Sequence, residues 1–215
     1  MLTGAMSSAA PSRPRGSEDL WLNAAAALLC EAGVDAVMVA PLAQRLGLSR
    51  TGFYWHFKDR KALLDALLMR WETRTTRPLL SRADAYAETI CEALFNLCDC
   101  WLDRDLFDAR MELAVRDWAR ADPAVAERLA QADATRRTAI AGLFRHFGYP
   151  ETEAETRTLA LLQAQIGYFA LPVDDTHWMR IARIPDFVEI FSGRRPIESE
   201  VGRFMARHIE ERVTP

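Results

Sequence analysis

From Ser17 onward the apolar residues recur with the spacing that lines one face of an α-helix, while the strict alternation that marks strands is scarce. Ser17 offers a side-chain oxygen as an N-cap, Glu18 and Asp19 follow where negative charge suits the helix dipole, and Gly33 stops the run. This predicts a first helix over 17–32. A short second helix is expected over 39–46, with Pro41 in its first turn and Gly47 at its end. Ser49 caps a third over 50–57, and a longer fourth starts near 59 and reaches the mid-70s. Past Pro78 come amphipathic segments over 83–102, 106–120, 123–147, 151–170 and 197–212. Asp122 and Pro123 open one of these as cap and first helical residue, and Gly148-Tyr149-Pro150 closes it. The stretch 172–196 holds three prolines and is expected to be irregular, with one short helix at most.

The pattern therefore predicts an all-α fold of about nine helices: an N-terminal three-helix helix-turn-helix domain over 17–62 and a larger C-terminal helical domain over 63–215. Residues 1–16, rich in Ser, Ala, Pro and Gly, are expected to be a disordered arm. Its Arg13 and Arg15 are of the kind that enter a minor groove. No internal repeat is visible.

The stretch Phe53-Tyr54-Trp55-His56-Phe57 is chemically odd, because aromatic rings sit between basic residues directly after a glycine. On a helical wheel Phe53 and Phe57 share one face, with Leu42, Leu46 and Leu48 available to receive them. Thr51, Gly52 and Trp55 then point outward, flanked by Arg50, Tyr54 and His56. Gly52 costs about 1 kcal/mol relative to alanine within a helix, so the reading takes it as a bare position where a partner approaches the backbone. Arg50 suits a guanine edge or a phosphate, and Thr51 a phosphate or a thymine methyl. Tyr54 and His56 can donate to phosphate oxygens, and Lys58, Arg60 and Lys61 follow at the start of the fourth helix. Lys58 and Lys61 are the only two lysines in the chain.

Charge sharpens this picture. The net charge of −3 over 215 residues is uneven: residues 13–77 carry a net +3 and the rest a net −6, as expected of a polyanion-binding face on an acidic body. The apolar runs are far shorter than the roughly 20 residues that cross a bilayer, and the N-terminus lacks an apolar signal core, so a cytoplasmic protein without membrane contact is expected. Cys30, Cys91, Cys98 and Cys100 form no C-x-x-C pair and are expected to be buried free thiols. No nucleophile–base, metal-ligand or phosphate-cradle motif is present, so neither an enzyme nor a cofactor or metal is expected.

Residues 42–68, "LAQRLGLSRTGFYWHFKDRKALLDALL", resemble the DNA-binding signature of the TetR (tetracycline repressor) family: Leu-Ala in one helix, the Gly-Leu-Ser turn, Tyr-x-His-Phe, then a basic start to the next helix. The resemblance covers about residues 17 to 70. It implies base or phosphate contacts by Arg50, Thr51, Tyr54, Trp55 and His56, and phosphate contacts by Lys58, Arg60 and Lys61. It departs at Met38, where the family usually has a Thr or Ser cap.

A three-helix module reads few bases, so a homodimer on a palindromic duplex operator is expected. Ala160, Ala164 and Gly167 form a small-residue seam at helical spacing, and Val201, Met205 and His208 share a side of the last helix; the resemblance implies that these helices pair with their mates. Cys98, Trp101, Met111, Val115, Trp118, Phe144 and Gln163 are candidates to line an apolar cavity for a small-molecule effector, while Arg136-Arg137 read as solvated or helix-end charges. The expected function is a ligand-responsive transcriptional regulator, a repressor released by a small apolar effector. The alternative is a small-molecule-binding or cysteine redox-sensing helical protein, acting through Cys91 and Cys98, without specific DNA binding.

Overall fold

The structure, a computed structural model, describes residues 16–171 and 174–209. The arm expected over 1–16, Arg13 and Arg15 included, lies outside these residues but for Gly16. The described residues hold ten α-helices, a 3-10 turn and no strand, and the chain divides into two units between Leu68 and Met69.

The first unit contains α1 (Glu18–Ala32), the 3-10 turn Val34–Ala36, α2 (Val39–Leu46), α3 (Arg50–Phe53) and the opening of α4 (Arg60–Ala83). The Ser17 side chain accepts from the Leu20 N–H at 3.2 Å, one of the amides that a helix start leaves without a partner. Gly47 ends α2 in the left-handed region, at φ 64° and ψ 22°, a conformation that glycine enters without cost to a side chain. The chain then turns, and Ser49 Oγ accepts from the Gly52 N–H at 3.2 Å to start α3. Trp21, Leu42, Phe53, Leu63 and Leu67 are fully buried and make the core, with Trp21 and Phe53 edge to face at 5.5 Å.

The second unit continues from Met69 with α5 (Ile90–Leu102), α6 (Ala109–Ala119), α7 (Pro123–His146), α8 (Glu151–Ala170), α9 (His177–Ser192) and α10 (Glu198–Ile209). Phe95 of α5 stacks on Phe204 of α10 at 4.6 Å, and Phe144, Ala154, Leu161, Ile181 and Val188 bring α7, α8 and α9 into the same core. Among the described residues no helix is long and apolar enough to cross a membrane.

Proline is where the sequence reading fails. The stretch 172–196 is not irregular: α9 occupies sixteen residues of it with Pro185 inside. The Thr176 side chain caps its start, and Ile181, Ile184 and Val188 bury one face, which outweighs the one backbone bond that Pro185 removes. Likewise α4 runs through Pro78 to Ala83 rather than ending in the mid-70s, and the next helix starts at Ile90, capped by Thr89, rather than near 83.

Candidate nucleic-acid interface

The surface of the first unit is organised by where the aromatic run turns. Phe53 and Phe57 are buried at 0% and 5% exposure, whereas Tyr54 and Trp55 stand 59% and 62% exposed. The α-helical segment is shorter than the 50–57 expected. It ends at Phe53, and the chain continues through a turn in which the Phe53 carbonyl accepts from both the His56 and Phe57 N–H groups, at 2.9 and 3.0 Å. That turn leaves Tyr54 and Trp55 exposed while seating both phenylalanines inward. Arg50, Thr51 and Lys58 are exposed on the same stretch.

Three residues differ from their sequence assignments. Gly52 is buried, not an outward-facing bare position, and its N–H donates to Ser49 Oγ. His56 is half-buried and its Nε2 lies 3.1 Å from the Gly16 carbonyl, which accepts from it. Arg60 donates from Nε to the Val37 carbonyl and from a terminal nitrogen to the Val34 carbonyl, both at 2.7 Å. Its guanidinium therefore closes the end of the 3-10 turn. Lys61 remains 82% exposed at its side chain beside Asp65, 2.7 Å away on the same face of α4. The outward set is thus Arg50, Thr51, Tyr54, Trp55, Lys58 and Lys61: two aromatic edges, one hydroxyl and three cations. Met38 caps α2 with no side-chain hydrogen bond and is 48% exposed.

Residues 22–67 match the family model described as bacterial regulatory proteins of the tetR family. Over that segment, about a fifth of the chain, the sequence is similar to the TetR family. It is 50% identical over 46 residues to the class A tetracycline repressor from transposon 1721 of Escherichia coli, and 48% identical over 46 residues to the class D repressor of the same organism. Each match covers 21% of this chain and 21% of the repressor, so the shared sequence spans about a fifth of these relatives. The fold is shared further. The ketosteroid transcriptional regulator KstR2 of Mycobacterium tuberculosis superposes with a TM-score of 0.64 at 17% identity, over 85% of this chain and 96% of that one. AmtR of Mycobacterium smegmatis does so with a TM-score of 0.61 at 18% identity, over 94% and 98%.

In the second unit the candidate effector residues separate. Cys98 and Trp101 line a cavity between α5, α8 and α9, and Trp101 and Gln163 line a wider groove bordered by α7 and α8. Met111, Val115, Trp118 and Phe144 are buried at 5%, 0%, 7% and 0% exposure and line neither space; they are packing residues. The candidate dimer residues separate as well. Ala160 and Ala164 of α8 are exposed and Gly167 is half-buried, but Val201 and Met205 pack on the core and His208 Nε2 pairs with Asp99 at 2.8 Å. Val201, Met205 and His208 are all half-buried. Exposed apolar residues nearby in sequence include Trp178, Met179 and Ile190 of α9 and Ile197 just before α10.

Arg136 is neither solvated nor at a helix end. It is 3% exposed, and its guanidinium donates to Glu112 Oε1 at 2.9 Å, to Thr75 Oγ1 at 2.8 Å and to Thr76 Oγ1 at 3.1 Å. Glu112 is fully buried and also accepts from Trp71 Nε1 at 2.7 Å and from Arg116 Nε at 2.9 Å. Burial acts to raise the Glu112 pKa, but the adjacent Arg136 and Arg116 charges and these hydrogen bonds outweigh it and hold the carboxyl below its ordinary range. The signal was in the sequence: Ala132, Arg136 and Ile140 recur at four-residue spacing on one buried stripe of α7.

Proposed function

We propose that the protein is a transcriptional regulator that binds a palindromic duplex operator as a homodimer and leaves it when a small effector occupies the second unit. The observation that carries the reading is the outward display of Tyr54 and Trp55 beside Arg50, Thr51, Lys58 and Lys61 on a helix-turn-helix whose opposite face is sealed by Phe53 and Phe57. Large rings held open to water cost solvation unless a partner covers them, and the cations around them suit a polyanion. In this reading Arg50 and Thr51 meet base edges or phosphates, Tyr54 and Trp55 the backbone and groove wall, and Lys58 and Lys61 phosphates. His56 and Arg60 position the turn. The α8 seam of Ala160, Ala164 and Gly167, with the exposed apolar residues of α9, pairs with its mate.

The thiols speak against the redox alternative. Burial pushes the Cys98 and Cys100 thiols up to about 12 and raises that of Cys91, so the reactive thiolate is suppressed. Cys91 and Cys98 lie seven residues apart on α5, roughly 10 Å along its axis, beyond disulfide reach.

Selection of duplexes from a random pool, followed by footprinting, tests the proposal. It predicts enrichment of an inverted repeat with half-sites about 34 to 36 Å apart, covered by two protomers. Recovery of no preferred sequence, or of a single half-site bound by one protomer, refutes it.

A further inference from the structure

Between α5, α8 and α9 lies a cavity of about 110 Å³ whose walls are mostly aliphatic, with Leu94, Leu161, Ile184 and Val188 among them. An apolar space of roughly 150 Å³ in another protein takes up benzene, so this smaller one suits a hydrocarbon part no larger than a single ring. The polar residues on its wall are few and gathered. Arg183 is matched by Asp175, whose carboxylate accepts from it at 2.6 and 3.2 Å and is 6% exposed. Tyr168 donates to the same carboxylate at 3.3 Å. Arg180 stacks over the Tyr168 ring at 4.8 Å, and its Nε is buried with no hydrogen-bond partner among the described residues. Two cations against one carboxylate leave a single positive charge beside an apolar space, and a carboxylate is the small group that balances it.

We propose that this cavity binds a small apolar monoanion, of the class of aromatic or short-chain monocarboxylates, with its carboxylate on Arg180 and its hydrocarbon part against the aliphatic wall. The inference rests on the reading that the second unit takes up an effector, and it names the effector's chemistry. A neutral analogue of the same shape leaves the positive charge of Arg180 unbalanced, and a doubly charged one meets too little positive charge.

Calorimetric titration of the full chain with benzoate and with benzyl alcohol tests this, using wild type, Arg180→Gln and Leu102→Trp, the last of which narrows the cavity wall. The expected result is benzoate binding roughly tenfold or more tighter than benzyl alcohol in wild type, a preference lost in Arg180→Gln, and neither probe binding Leu102→Trp. Equal affinity for the two probes, a preference that survives Arg180→Gln in a folded variant, or no binding of benzoate to wild type overturns it. Affinity for a selected duplex is measured with and without benzoate in the same samples. Benzoate binding with unchanged DNA affinity supports the site and removes instead the proposed release from the operator.

Discussion

Replacing Arg136 with methionine isolates the buried charge cluster of the second unit. The substitution keeps much of the side-chain volume but removes the guanidinium that gives Glu112, Thr75 and Thr76 their partners. Glu112, at 0% exposure, is then left with Arg116 and the Trp71 N–H. Breaking a buried pair by deleting one partner costs about 3–5 kcal/mol, because the remaining charge stays desolvated. Since Arg116 and Trp71 still reach Glu112, the lower end applies, about 3 kcal/mol, or roughly 6–12 °C in Tm for a chain of this size. Urea unfolding followed by circular dichroism measures it, with Glu112→Gln in the Arg136→Met background recovering more than half the loss because no buried charge remains. The cluster is also read by pH. Glu112 is held below its ordinary pKa, so its contribution is present above the unfolded value and lost as pH falls through the folded one. With Arg136 gone the depression shrinks, and acid unfolding moves to higher pH. A loss under about 1 kcal/mol, or an unshifted acid transition, refutes the reasoning.

Other outcomes follow from the first unit and the thiols. Tyr54→Ala weakens duplex binding by about tenfold or more with an unchanged melting temperature, checked by fluorescence anisotropy and calorimetry; unchanged affinity removes Tyr54 from the interface. Arg50→Ala relaxes preference at one base pair by about 1–3 kcal/mol if it reads guanine, measured on a panel of single-base variants, and a uniform loss over all sequences makes it a phosphate contact. Arg60→Met takes the Arg60 donor from the Val37 carbonyl, leaves the Val34 carbonyl with the Val37 N–H alone, and lowers stability by about 1–3 kcal/mol, seen as a lower urea midpoint. Native Cys98 and Cys100 resist iodoacetamide at pH 8 and react only on denaturation, read by mass spectrometry; fast labelling of the folded chain contradicts their raised pKa values.

Where a boundary is set by local chemistry, the sequence was legible to the residue. Pro123 and Gly47 bracket their helices as expected, and α8 spans 151–170 as read. Phe53 and Phe57 were recognisable as core because two apolar rings four apart can share a face. The misses have one source, tertiary packing, which no window of sequence reports. Burial of Ile181 and Val188 carries α9 through Pro185, and a buried acceptor on another helix turns Arg136 from a surface residue into an internal one. Arg60 and His56 look like the phosphate contacts the family resemblance implies, yet carbonyls brought near by the fold take up their donors. The cavity beside Arg180 was hidden for the same reason, since one side of its wall, Arg180 to Phe191, comes from the segment read as irregular.

The measurement closest to the central claim is the salt dependence of affinity for a selected duplex, in wild type and in Lys61→Ala. Wild-type affinity is expected to fall linearly on logarithmic axes as salt rises, and removal of Lys61 to reduce the slope by about one phosphate's worth of released counterion. An affinity insensitive to salt, or a slope that Lys61→Ala leaves untouched, would contradict the placing of this face on the DNA backbone.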